Sequence, residues 1–230
     1  MKVLRGRNVL ITGGALGMGK SLARLLLQEG CRVALVDIRE GDLDAALREL
    51  SPIGEVYAFV CDISDREKVY GLAQRVRDEF GDIDILVNNA GVVKSDPFLE
   101  KPGEVIERTV AVNLLAHFWT MKAFLPAMVA KKEGHVVNMA SAGGLLGVPY
   151  ISDYCATKFA AVSYTHLRAH ETVLDLVCRL LLEKKNLRQP QLVAHQHLRR
   201  TATTPHEHTE SKRQHTGAKL PLIPHPHSGR

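Results

Sequence analysis

A chain of 230 residues that is 45% apolar and 24% charged has the make-up of a soluble globular protein of one domain or two small ones, and no stretch approaches the length of a transmembrane helix. Its four cysteines lack Cys-x-x-Cys spacing, which argues against a disulfide framework or a zinc site and fits thiols in a reducing, cytoplasmic compartment. The net charge of +5 is unevenly spread: residues 1–162 carry 19 Lys+Arg against 20 Asp+Glu, and residues 163–230 carry 11 against 5. No aromatic residues interleave with the basic groups of the tail, so nucleic-acid binding is not expected. Met1 to Arg7 leads almost directly into the first apolar run, and neither a signal peptide nor a membrane anchor is expected.

That run, Val9-Leu10-Ile11, meets Thr12-Gly13-Gly14-Ala15-Leu16-Gly17-Met18-Gly19, and Leu22, Leu25, Leu26 and Leu27 follow at helical spacing. Strand, glycine-rich turn and helix in this order bring backbone N–H groups and a positive helix N-terminus to a phosphate. Glycine is needed where a Cβ would block the approach. The stretch from Gly14 to Gly19-Lys20-Ser21 also fits G-x-x-x-x-G-K-[ST], in which Lys20 reaches the β/γ-phosphates and Ser21 holds Mg²⁺. Spacing alone leaves a dinucleotide site, a P-loop and a plain tight turn all open.

Gly30 ends the first helix, and Arg32 to Asp37 reads as a buried parallel strand. Asp37 lies 24 residues beyond Gly13, near the offset at which a carboxylate accepts hydrogen bonds from the adenosine ribose. Such a carboxylate repels a 2′-phosphate and favours NAD; Arg39 keeps NADP open. Asp42 to Leu50 is the next helix, stopped by Ser51-Pro52, and Val56 to Val60 the third strand, running into Cys61-Asp62-Ile63. Ser64 with Glu67 predicts a capping box for a helix that runs to Phe80. Ile83 to Val87 predicts the fourth strand, before Asn88-Asn89-Ala90-Gly91. A single long helix is predicted from Gly103 to Val129, with Asn113 as its odd polar residue and a kink at Pro126. His135 to Ala140 is the fifth strand, and Ser141 follows it. The pattern predicts an α/β fold: a three-layer Rossmann-type domain with a parallel sheet, five strands recognisable, and the site at the strand C-terminal ends.

Ile151 to Ala161 reads as a helix on which Tyr154 and Lys158, four residues apart, share a face. A lysine ammonium beside a phenol favours the phenolate. Such a phenol exchanges a proton with an alcohol or carbonyl oxygen. Ser141 can donate a hydrogen bond to the same oxygen.

Thr12-Gly13-x-x-x-Gly17-x-Gly19, Asp62, Asn88-Asn89-Ala90-Gly91, Asn113, Ser141 and Tyr154-x-x-x-Lys158 together resemble the short-chain dehydrogenase/reductase family in order and spacing. The resemblance implies an NAD(P)-dependent oxidoreductase interconverting an alcohol and a ketone or aldehyde. Tyr154 would be the acid/base, with Lys158 beside it, Ser141 would orient the substrate, and Asn113 would position a water in a relay through Lys158. Gly13, Leu16, Gly17, Met18, Gly19, Asp37, Ile38, Asp62, Ile63, Asn89, Ala90 and Gly91, with Tyr154 and Lys158, would line an NAD site. It also leaves a P-loop no use for Ser141, Tyr154 and Lys158. The segments Asn113–Met128 and Asp153–Phe159 are similar to the branch of retinol and lipid-associated hydroxysteroid dehydrogenases, which implies a lipophilic small-molecule substrate. A 3-oxoacyl thioester reductase is the alternative within the family.

The resemblance covers about residues 3–162. From Ser163 to Lys185 the sequence resembles a translated sequencing-library adaptor joined to the reading frame, and the His- and Pro-rich remainder resembles out-of-frame read-through. The expected organisation is therefore a dinucleotide-binding domain over 1–162, a helical extension over 163–185 and a disordered tail over 186–230. The histidines of that tail have no core to fix them and predict no metal site. Replacement of the family's C-terminal third predicts an open sheet edge beside the fifth strand. No Pro-Gly turn follows Val162 to hold the nicotinamide. The chain is thus expected to bind cofactor weakly and turn over poorly. The homo-oligomer usual in the family is not expected of a chain so altered.

Overall fold

The computed structural model describes residues 4–171 and 177–181. Six parallel strands form one sheet in the order β3-β2-β1-β4-β5-β6. They are β1 (Asn8–Thr12), β2 (Arg32–Asp37), β3 (Val56–Val60), β4 (Ile85–Asn88), β5 (His135–Met139) and β6 (Val177–Leu181). The helices are α1 (Gly17–Gln28), α2 (Glu40–Leu50), α3 (Arg66–Glu79), α4 (Gly103–Val110), α5 (Ala116–Lys131) and α6 (Ser152–Glu171).

Alternation along the strands sorts side chains to two faces. Val9, Ile11, Val33, Leu35, Ile85 and Val87 pack with Ala23 and Leu27 of α1 and with Leu43, Ala46 and Leu50 of α2. Leu10, Ala34, Val36, Phe59 and Leu86 pack on the opposite face with Val69, Leu72 and Val76 of α3 and with Met121, Phe124 and Met128 of α5. Leu10, Leu35, Phe59 and Leu86 are almost wholly buried, each stabilising the fold by roughly 1.5–3 kcal/mol. The chain crosses from β3 over β1 to β4, and that reversal of strand order opens a crevice at the strand C-terminal ends.

Local structure departs from expectation at three places. Asp65 caps α3 in place of the predicted Ser64/Glu67 box: its carboxylate accepts from the N–H groups of Glu67 (3.0 Å) and Lys68 (3.2 Å). The Ser64 hydroxyl is spent on Asp62, 2.6 Å away. The helix predicted from Gly103 to Val129 is divided by a π-helical turn, Ala111–Leu115, with Asn113 at its centre. Such a turn breaks no polar pattern in the sequence, yet it is frequent at functional sites.

The third departure lies beyond Val162. The helical extension predicted over 163–185 holds only to Glu171, the end of α6. Val177–Leu181 instead runs parallel to β5, with Val136 opposite Cys178 and Asn138 opposite Leu180. A short segment in which four of five residues are apolar is ambiguous between helix and strand by periodicity. Parallel pairing with β5 decides in favour of the strand. The open edge expected there is closed. The tail predicted over 186–230 lies outside the described residues. Among the described residues no helix is long and apolar enough to cross a membrane, and no cluster of side chains suits a metal ion.

Candidate active site

The glycine turn is shaped by close approach. Gly13 and Gly17 have φ of 62° and 54°, in the left-handed region. A Cβ on Gly19 would stand 2.2 Å from the Gly13 carbonyl oxygen and 2.6 Å from Asn89 Nδ2. Asn89 Nδ2 donates to the carbonyls of Thr12 (2.9 Å) and Gly13 (3.1 Å). Thr12 Oγ1 accepts from the N–H groups of Asn89 and Ala90, both at 3.1 Å. These bonds tie the end of β4 to the turn. Behind them, buried Asn88 donates to Asn138 (2.9 Å) and accepts from Thr120 (2.7 Å).

A cleft of about 360 Å³ opens over this turn. Gly13, Leu16, Gly17 and Met18 line it at the start of α1, Asp37 and Ile38 at the end of β2, Asp62 and Ile63 after β3, and Asn89, Ala90 and Gly91 after β4. Leu16 at the N-cap of α1 provides no side-chain cap, so the first N–H groups of the helix are left for a ligand. Gly19 stands behind the turn. The fit to a dinucleotide rests on the cradle that Cβ atoms at Gly13 and Gly19 would fill and on the carboxylate at its far end. Lys20 pairs with Glu49 (2.7 Å) and the Ser21 hydroxyl donates to Gly17 O (3.0 Å). Neither side chain lines the cleft, so the two groups a P-loop requires are engaged elsewhere.

At the β2 end, Asp37 Oδ1 accepts from the N–H groups of Ile38 (2.9 Å) and Arg39 (3.3 Å). Arg39 pairs with Asp42 at 2.9 Å and lies 3.7 Å from Asp37, so carboxylates already offset its charge. Asp62 accepts from Arg108 (2.9 Å) and Ser64. Burial disfavours its ionisation, but these two donors outweigh burial and hold the carboxyl below its usual range. Arg108, on α4, also lines the cleft. Sequence reading missed it, because its partner lies 46 residues away and an arginine in a helix reads as surface.

At the β5 end, a single-turn 3₁₀ helix, Ala142–Gly144, presses against α6. A Cβ on Gly144 would stand 2.7 Å from the Lys158 carbonyl. A Cβ on Gly143 would touch the Tyr154 ring at 3.3 Å and Ser141 Oγ at 3.6 Å. The glycine pair therefore lets Ser141 and Tyr154 approach, a packing role the sequence showed only as a strand-end loop. Ser141 Oγ accepts from Gly143 N at 3.2 Å, leaving its proton free to donate. Lys158 Nζ lies 5.7 Å from the Tyr154 ring centre and donates to Met139 O at 2.7 Å.

Asn113 is wholly buried. Its amide accepts from Val92 N and donates to Val92 O, both at 2.8 Å. It thus holds the segment that forms one wall of the cleft. Among the described residues, Ser141, Tyr154, Lys158 and Asn113 do not line the cleft itself. They gather at its Gly91 end, where a Cβ on Gly91 would lie 3.4 Å from Asn113 Oδ1 and 3.8 Å from Lys158 Nζ.

Burial pushes the Lys158 ammonium down to about 8, and it remains protonated at neutral pH. Because the folded value lies below the ordinary one, the unfolded chain binds more protons from pH 8 up to about 10.5. Stability contributed by this group must therefore rise with pH across that window. In urea unfolding, wild type is expected to gain on Lys158→Met over that range; a pH-independent difference would count against a buried, shifted amine. Neighbouring His117 is neutral throughout, pushed down to about 3 by burial and secondarily by Lys158.

Comparison with known proteins finds relatives in sequence and in structure. Residues 7–177 match the family described as short chain dehydrogenase, a match that extends past Val162. Epidermal retinol dehydrogenase 2 of Mus musculus is 42% identical over 174 residues, 75% of this chain and 56% of the relative. Estradiol 17-beta-dehydrogenase 11 of Macaca fascicularis is 44% identical over 180 residues, 78% of this chain and 58% of the relative. The chain thus spans little more than half the length of these relatives. Among solved structures, a short chain dehydrogenase/reductase from Burkholderia phymatum in complex with NAD aligns with a TM-score of 0.76 at 30% identity, covering 79% of this chain and 66% of that one. A metagenomic short-chain oxidoreductase in complex with NADP aligns with a TM-score of 0.75 at 31% identity, covering 79% of this chain and 84% of that one.

Proposed function

From the premise that the chain belongs to the short chain dehydrogenase family, we propose that it is an oxidoreductase that interconverts a lipophilic alcohol and its carbonyl compound with NAD. The observation that carries this reading is the gathering of Ser141, Tyr154 and Lys158 at one end of the dinucleotide cleft. A bound nicotinamide supplies the hydride acceptor or donor. The protein's own groups handle the proton. Tyr154 takes the hydroxyl proton of an alcohol, or returns it to a carbonyl oxygen. The Lys158 ammonium favours the phenolate, and its bond to Met139 O keeps it from swinging away. Ser141, its oxygen steadied by Gly143 N, donates to the substrate oxygen. Asn113 acts through Val92, fixing the wall beside the reacting groups.

Two features support the finer assignments. Asp37 at the ribose end, with Arg39 neutralised beside it, favours NAD over NADP. Val93, Leu146, Val148 and Tyr150 are exposed apolar residues on the loops after β4 and β5, suited to a lipophilic substrate. Calorimetric titration with NAD and NADP, followed by assay against lipophilic secondary and allylic alcohols and a 3-oxoacyl thioester, tests the reading. Asp37→Ser is expected to narrow the preference for NAD by roughly tenfold or more. An unchanged ratio would remove Asp37 from cofactor choice, and turnover of the thioester alone would replace the substrate assignment. A second reading, a cofactor-binding chain of low turnover, is favoured by the absence of any Pro-Gly turn after Val162. It predicts NAD binding with slow hydride transfer.

A further inference from the structure

Lys101 is a lysine with almost no contact with water. Its side chain is 1% exposed, and that of Asp153, its partner, 3%. All three of its N–H groups meet acceptors, drawn from two stretches of chain: Asp153 Oδ1 at 2.5 Å, Lys94 O at 3.0 Å and Tyr150 O at 3.2 Å. Two of these partners belong to the approach and first turn of α6, and Asp153 immediately precedes Tyr154. The third belongs to the loop that leaves β4 and forms the rim of the cleft.

Tyr150 has a φ of 67°, one of two non-glycine residues in the left-handed region among the described residues. A conformation of that kind persists only where surrounding bonds over-determine it. Here the Tyr150 carbonyl accepts from Asp96 N (3.1 Å) as well as from Lys101. Between Gly91 and Gly103 the rim loop has no regular structure of its own. It is held at one end by Asn113 on Val92 and at the other by Lys101 on Lys94, Tyr150 and Asp153. Burying two charges is costly, and apolar residues of similar volume commonly serve stability as well or better. Stability alone therefore does not account for the pair.

We propose that Lys101 is a positioning residue: with Asp153 it staples the 92–101 rim loop to the first turn of α6 and so sets Tyr154 against the cofactor cleft. The proposal rests on the reading of Tyr154 as acid/base. What it adds is a pair 52 residues apart in sequence that places that phenol without touching substrate or cofactor.

The test uses the full chain and three variants. Lys101→Met/Asp153→Leu replaces the pair with apolar residues. Asp153→Asn keeps an acceptor and removes the charge. Asp153→Ala removes the acceptor while leaving Lys101 its two carbonyls. Each is read by thermal melting, NAD affinity, amide hydrogen exchange over 92–101 and 150–154, and single-turnover rate with NAD and a lipophilic alcohol, beside Tyr154→Phe. The double variant is expected to melt no lower than wild type and to bind NAD within about twofold. Exchange in both segments should rise at least about tenfold, and turnover should fall roughly 10²-fold with little change in KM. Asp153→Asn should stay within about threefold of wild type throughout. If the double variant folds poorly, Asp153→Ala decides, with faster exchange over 150–154 expected. Unchanged exchange in a folded variant lacking the staple would overturn the proposal, as would an Asp153→Asn that behaves like the double variant. A Tyr154→Phe that retains turnover would instead sink the acid/base reading, and the exchange data would still judge the staple.

Discussion

Replacing Tyr154 by phenylalanine is expected to slow hydride transfer by roughly 10²–10⁴-fold, the usual worth of a positioned acid/base, while NAD affinity stays within about twofold. The reason is division of labour along the molecule. The phenol stands on α6 beside Gly143 and Lys158 and is not among the residues that line the dinucleotide cleft. Loss of one hydroxyl leaves the aromatic ring, its packing on Gly143 and the fold in place. The effect should therefore fall on kcat rather than on cofactor binding. Single-turnover rates with NAD and a lipophilic alcohol, read beside calorimetric NAD titrations of both proteins, check this. A variant as fast as wild type would take the proton transfer away from Tyr154.

Gly19→Ala is expected to cost the opposite quantity. Its Cβ would stand 2.2 Å from the Gly13 carbonyl oxygen, a main-chain atom that cannot swing aside. Either α1 or the turn must move, and overpacking of this kind typically costs about 1–3 kcal/mol. The displaced groups are the ones that would face the phosphates of the proposed NAD, so its affinity should drop by roughly tenfold for each 1.4 kcal/mol lost from binding. Calorimetry with NAD, beside a thermal melt that shows the domain still folded, is the measurement. Wild-type affinity in a folded Gly19→Ala would mean that the turn does not hold the pyrophosphate. Gly17→Ala should be milder in packing, since nothing lies within 4 Å of its Cβ position, and its cost comes from a φ of 54°.

Elements whose code is local are legible in the sequence by itself. The alternation in Val9-Leu10-Ile11 and Arg32–Asp37 fixes which side chains face α1 and α2 and which face α3 and α5. Five of the six strands follow from such runs. The sixth, Val177–Leu181, reads as helix by its own spacing, because what makes it a strand is its pairing with β5 and not its composition. The cap of α3 falls on Asp65, one residue beyond the predicted Ser64, because the Ser64 hydroxyl has a stronger competitor in Asp62. The π-helical turn at Asn113 leaves no mark in the spacing.

The site divides in the same way. Gly13, Asp37, Ser141, Tyr154 and Lys158 stand out in the sequence by type and offset, since the chemistry proposed for them admits few residues. Arg108, Gly143, Gly144 and Lys101 act through partners distant in sequence or through space left empty, and only packing reveals them.

The central claim is that this chain moves a hydride between a substrate carbon and a nicotinamide. Its most direct test is a single-turnover incubation of the full chain with saturating NAD and a lipophilic secondary alcohol bearing deuterium on the carbinol carbon. The reduced cofactor is then examined by mass spectrometry. Such a measurement registers even a slow enzyme. Deuterium in the reduced nicotinamide of wild type, accumulating roughly 10²–10⁴-fold more slowly with Tyr154→Phe, is the predicted result. No deuterium transfer by a wild-type chain shown to be saturated with NAD would contradict it.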